Sequence, residues 1–227
     1  MPAKMRLAIP RWLKLWGRPA APDLYPPDTP IRSVRYVVLD TEFSSREQRS
    51  NRLLSVGAIT MEGARIRMGE QFYRVLNPGV DVPANTVVVH QLRPSDIELG
   101  DPPLQVLAEL RDYIAGAVLV GHFIKIDLDL LGKELRATEH SLENPFVCTA
   151  QVHRWLLRQE RYSEDQFHRL ENVNLASLAK IYNIECREAH HALDDAFVTA
   201  RLWQKLIYQL EARGVRTLAH LLKIGTP

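Results

Sequence analysis

Cysteine is scarce in this chain. Only Cys148 and Cys186 occur in 227 residues, too few and too isolated for a disulfide framework or a cysteine-built zinc site. Both are expected to be small, buried apolar residues of a reduced, cytoplasmic protein. Long apolar runs are missing as well: none approaches the ~20 residues that cross a bilayer. Near the start, Lys4 and Arg6 precede Leu7–Ile9, but Pro10 and Arg11 break that run at once, so a secretory signal is not expected. Nor is one sign of charge in excess. The 29 Lys+Arg against 27 Asp+Glu leave a formal +2, which neither demands nor excludes a polyanionic partner, because a local basic groove can sit on a neutral protein. Internal repeats are absent. What is present is a 46% hydrophobic composition, enough for one globular domain with a full core and some extension.

Residues 1–33 form the extension. They contain Pro2, Pro10, Pro19, Pro22, Pro26, Pro27 and Pro30, a density that opposes regular structure. Within them Arg11-Trp-Leu-Lys-Leu-Trp16 mixes basic and aromatic residues. Such a segment suits a membrane surface, a nucleic acid or a partner protein, or packs as a tail on its own domain. The folded body, 34–212, opens with strands predicted near Tyr36–Phe43, Leu53–Thr60 and Ile66–Leu76. Their short links, with Met61-Glu-Gly63 as one turn, imply an antiparallel meander. A helix after Asp101-Pro-Pro103 shows an apolar face of Leu104, Leu107, Ala108 and Ile114. Val118–Val120 reads as a strand buried on both faces, followed past Gly121 by a helix bearing Leu128, Leu131 and Leu135. Phe146–Cys148 is a further strand leading into a helix through Trp155, and Asn174 caps the next helix. A long helix over 191–212, with Leu193, Ala196, Phe197, Ala200 and Leu210 on one side, ends before Gly214. A short helical tail completes 213–227. Hairpin-linked strands, then strand–helix alternation, describe an α/β domain with a mixed sheet.

Chemistry concentrates at element ends. Asp40 and Glu42 share one face at the end of the first strand, where two neighbouring carboxylates repel and are costly to bury without a cation between them. Asp127 opens the helix after the buried strand, a place also suited to an ordinary first-turn acid. Asp195 lies one turn into the long helix, and His190 precedes it by five residues. Singly, each has a plain structural use; jointly, they fall where elements can pack together.

The segments Asp40-Thr-Glu42-Phe, Gly121-His-Phe-Ile-Lys-Ile-Asp127 and His190-His-Ala-Leu-Asp-Asp195 resemble, in order, the three exonuclease motifs of the DnaQ-like superfamily. The histidine five residues before the last aspartate resembles its DEDDh branch, and the whole is most similar to the proofreading epsilon-subunit group of bacterial DNA polymerase III. Leu53-Leu-Ser-Val-Gly57-Ala, Val89-His90-Gln-Leu92 and Asn174-Leu-Ala-Ser-Leu178 are supporting landmarks. The resemblance implies an RNase H-like fold and a 3′→5′ exonuclease that releases nucleoside 5′-monophosphates from single-stranded ends, DNA favoured. It implies that Asp40, Glu42, Asp127 and Asp195 gather around two divalent cations, Mg²⁺ or Mn²⁺, with Asp40 bridging them. Glu42 and Asp195 would lie on the cation holding the attacking water, and Asp127 would complete the site. His190 would be general base, a role suited to an unperturbed pKa of about 6.5. Thr41, Phe43, Val89 and His90 would seat the terminal nucleotide. A polymerase subunit is an implied partner.

The chain departs from the pattern. Phe43-Ser44-Ser45 stands where Thr-Thr-Gly is common, Phe123 replaces an asparagine and Ile126 a phenylalanine, and His90-Gln-Leu92 replaces His-Gly-Ile. The acids and histidine survive; seating of the nucleotide is what these changes touch. Two rivals remain: an RNA-trimming exonuclease of the oligoribonuclease or ribonuclease T kind, and a non-catalytic module that holds nucleic-acid ends.

Overall fold

A computed structural model describes residues 25–44, 51–80, 92–136, 142–160, 174–186 and 191–226. The strands are β1 (Arg35–Phe43), β2 (Leu53–Glu62), β3 (Arg65–Val75), β4 (Val118–Gly121) and β5 (Phe146–Cys148). The α-helices are α1 (Pro94–Glu98), α2 (Pro103–Ile114), α3 (Lys125–Arg136), α4 (Thr149–Arg158), α5 (Leu175–Ile181), α6 (Ala192–Ala212) and α7 (Leu218–Gly225). The sheet runs in the order β3-β2-β1-β4-β5. β1, β2 and β3 pair antiparallel, while β4 joins β1 and β5 joins β4 in parallel. This is the mixed sheet expected of the RNase H-like exonuclease fold.

Alternation along β1 builds two cores. Tyr36 and Val38 point to one face, where they meet Val118, Val120 and Val147 and are covered by Val152, Leu178, Trp203 and Leu221 from α4, α5, α6 and α7. Val37 and Leu39 point to the other, under Leu107 and Leu110 of α2 and Leu131 and Leu135 of α3. A strand covered on both sides must be apolar throughout, and Val118, Leu119 and Val120 are each fully buried.

Two apolar faces differ from the sequence expectation. Leu104 is 60% exposed. The buried stripe of α2 is Val106, Leu107, Leu110 and Ile114, and Leu104 lies roughly 100° around the helix from its centre. On α6, Leu193 and Phe197 are only half-buried, because the stripe follows Ala192, Ala196, Trp203 and Leu210. That rotation brings Asp195 toward the sheet. The cap at Asn174 is as expected: its side chain accepts a hydrogen bond from the Ser177 N–H at 2.9 Å. The helix α1 and a 3₁₀ turn at Ile31–Ser33 carry no periodic signal and were not anticipated. Residues just before β1 lie against the body: Ile31 is 1% exposed, and Pro30 forms a bridge with Thr217. The basic-aromatic segment 11–16 lies outside the described residues. Among those described, no helix is long and apolar enough to cross a membrane.

Candidate active site

Asp40 and Glu42 project from the end of β1 on the face covered by α6. Asp40 is directly opposite Gly57 on β2, and Gly57 is opposite Tyr73 on β3. Facing residues of adjacent strands share a face, so this row runs Asp40, Gly57, Tyr73. Above Gly57 sits the start of α6. A Cβ on Gly57 would come within 2.3 Å of the Ala192 carbonyl carbon and the Leu193 nitrogen, closer than any real contact. Glycine here lets the helix N-terminus rest on the strand, and Asp195 arrives beside Asp40 as a result. A break in register between Glu42 and Phe43 turns the strand end at this point, as bulges do beside functional sites.

The outcome is a nest of three carboxylates. Ligand oxygens of Asp40, Glu42 and Asp195 all lie within 4.8 Å of one another. Asp40 is half-buried and Glu42 is 6% exposed. Burial, with the charges of Asp127, Glu42 and Asp195 added, holds the Asp40 carboxyl well above the ordinary aspartate range. Asp127 enters from the opposite face of the sheet, in the first turn of α3. Thr41, which alternates to that face, donates its hydroxyl hydrogen bond to the Asp127 carboxylate. Burial pushes Asp127 up to about 7, against the pull of that hydrogen bond. The structure therefore brings three of the four acids into one nest and sets the fourth next to it, within electrostatic reach of Asp40.

A set of carboxylate oxygens held together at this closeness, partly out of water, suits a hard divalent cation. The alternative means of relieving the repulsion is a proton, and Asp40 is shifted in that direction. The donors thus fit the metals the sequence points to.

Of the remaining predicted residues, Phe43 is half-buried and packs against the α2–α3 core. Thr41 is buried with its hydroxyl committed to Asp127. His190, Val89 and His90 lie outside the described residues. The neighbouring His191 precedes α6; its ring stacks on Tyr73 with centroids 4.7 Å apart and its Nδ1 is 3.7 Å from the Asp194 carboxylate. Lys125, beside Asp127 in sequence, is exposed and pairs with the exposed Asp129 at 3.4 Å.

Sequence reasoning passed over two contributors. Gly57 had a signal, a glycine inside an apolar strand, which marks close backbone approach. Tyr73 had none; its place against His191, within electrostatic reach of Glu42, comes from strand register.

A family model described as an exonuclease, of the ribonuclease T type, matches residues 37–203. The chain belongs to this exonuclease family. Its match to a DNA polymerase III epsilon-like protein of Rhodobacter capsulatus is 26% identical, covering 86% of this chain and 27% of that protein. To the DNA polymerase III epsilon subunit of Aquifex aeolicus it is 24% identical, covering 77% of this chain and 81% of the relative. The chain spans only about a quarter of the Rhodobacter relative. A crystal structure of E. coli exonuclease I in complex with a dT13 oligonucleotide superimposes with a TM-score of 0.66 at 16% identity, over 80% of this chain and 42% of that one. That likeness establishes the exonuclease fold of this family member.

Proposed function

We propose that this chain is a metal-dependent 3′→5′ exonuclease that shortens single-stranded nucleic acid, DNA by preference, releasing nucleoside 5′-monophosphates. The observation that carries the reading is the nest of Asp40, Glu42 and Asp195, with ligand oxygens within 4.8 Å of one another. They would hold two divalent cations, Mg²⁺ or Mn²⁺, with Asp127 completing the set. Bound there, such cations lower the pKa of a water and offset charge on the attacking and leaving oxygens of a phosphodiester.

The protein's own groups do the rest. Thr41 holds the Asp127 carboxylate in place. His190, five residues before Asp195, takes the proton of the attacking water as general base. The assignment is supported by the engagement of its neighbour: the His191 ring is occupied by Tyr73 and Asp194. Val89, His90, Phe43 and the backbone at Thr41 seat the terminal nucleotide. The epsilon-subunit relatives support a polymerase as partner, and the proofreading role with it.

Matched 5′-labelled and 3′-labelled strands of DNA and RNA, incubated with Mg²⁺ or Mn²⁺, test this. The proposal expects a ladder of shortened 5′-labelled DNA, immediate release of 3′ label as mononucleotide, and silence in EDTA. Cutting of a covalently closed circle at a comparable rate overturns the exonuclease reading. Faster loss of RNA than DNA moves the protein to the RNA-trimming group. Binding without shortening makes it a module that holds ends.

A further inference from the structure

The loop from β4 to α3 contains a strained residue for which the acid nest has no use. Phe123 has φ +56, the left-handed region where a Cβ crowds the next carbonyl and where Asn and Asp are the tolerated side chains. Asparagine is the residue the resembled motif has here; this chain keeps the conformation and gives it to an aromatic. Backbone strain held at a bulky residue calls for a compensating use. Core packing does not supply it. The residue is 38% exposed and belongs to neither core.

The ring nonetheless has a neighbour. It stands edge-on to His122, with centroids 4.5 Å apart and planes at 64°. The Nδ1 of His122 lies 3.0 Å from the Thr149 hydroxyl, and that hydroxyl donates to the Gly121 carbonyl at 3.2 Å. Ile124 is fully buried and pins the loop, while Ile126 is 63% exposed. The Ile126 N–H bonds back to the Phe123 carbonyl at 3.0 Å. The loop and the first turn of α3 therefore each turn an apolar side chain outward, Phe123 and Ile126, and the residue after Ile126 is Asp127.

We infer that Phe123 is a base-stacking residue that receives a nucleobase of the bound strand beside the acid nest; this rests on the exonuclease reading above. An aromatic face stacks on any base, so Phe123 holds the strand in position without selecting its sequence. A ring already packed against His122 has less freedom to lose when the base arrives.

The test uses the full chain in Mn²⁺ and 5′-labelled single strands in which one abasic residue is walked through the positions nearest the 3′ end. In the parent, one abasic position should raise KM by about 5- to 150-fold, the range that stacking one base supports. Phe123→Ala should raise KM on the intact strand by a similar factor, leave kcat little changed, and abolish the penalty at that one position. Phe123→Trp should restore it. Phe123→Asn should lose the stacking while melting no lower than the parent, because asparagine accepts the backbone. If the variants lower kcat and melting temperature together and the abasic profile keeps its shape, Phe123 is structural and the inference is overturned. A parent that neither binds nor shortens the strand defeats the exonuclease reading itself. An active parent whose abasic profile is indifferent to Phe123 defeats this inference alone.

Discussion

Asp127 is held between burial, which raises its carboxyl to about 7, and the Thr41 hydroxyl, which favours the charged form. In the unfolded chain the same carboxyl titrates near 3.8. Between those values the folded state binds more protons than the unfolded one, so stability falls as pH rises through the window. Asp40 is shifted in the same direction. In EDTA the protein should melt higher at about pH 5 than at about pH 7.5, and Asp127→Asn should flatten that slope. Equal melting of the parent at both values would show that these carboxyls are not held as described. The adjacent histidines give a second residue-scale expectation. His190→Ala should slow turnover by about the 10²–10⁴-fold typical of losing a general base, whereas His191→Ala should be mild. A larger loss at His191 would move the base by one residue. The sequence displayed the four acids, because each lies within a short local motif; His190 lies outside the described residues. It could not show that Thr41 secures Asp127, since that contact joins β1 to α3 between residues 86 apart in the chain.

At the scale of elements, the site depends on α6 lying down on β2. Gly57→Ala places a methyl 2.3 Å from the Ala192 carbonyl carbon, and the obstacle is backbone, which cannot swing aside. The start of α6 must lift, carrying Asp195 away from Asp40. Overpacking of this kind costs about 1–3 kcal/mol or more, and activity should fall further than stability does. Circular dichroism melting with a turnover assay checks both; an active, unshifted Gly57→Ala would mean α6 does not seat Asp195. The elements themselves were legible. The alternation of β1, the apolar run of β4 and the Asn174 cap each leave a local pattern. Leu104, Leu193 and Phe197 misled because periodicity says which residues lie on one side of a helix but not which part of that side meets the sheet. Helix α1 is too short to show a period.

For the whole molecule, the described segments before β1 and after α6 belong to one packed body with the site. Residues before β1 meet α7: the Leu218 N–H donates to the Thr29 carbonyl at 2.8 Å and the Ala219 N–H to the Pro27 carbonyl at 3.0 Å, while Tyr25 accepts from the Arg35 N–H at 3.1 Å. Removing residues 1–24 leaves these contacts in place. Removing 1–33 takes away the buried Ile31 and should cost about 2–5 kcal/mol. Equal melting of the two truncations would mean that this docking contributes nothing.

The same packing assembles acids from β1, α3 and α6 against their mutual repulsion, which a bound divalent cation would relieve. Melting of the parent and Asp195→Asn, each in EDTA and in Mn²⁺, tests this most directly. The parent should rise with Mn²⁺, because a ligand of the folded state alone stabilises it by mass action. Asp195→Asn should melt above the parent in EDTA, having lost one repelling charge, and should gain much less from Mn²⁺. Identical parent curves in EDTA and Mn²⁺, with Asp195→Asn merely destabilised, would contradict the claim that these acids form one metal site.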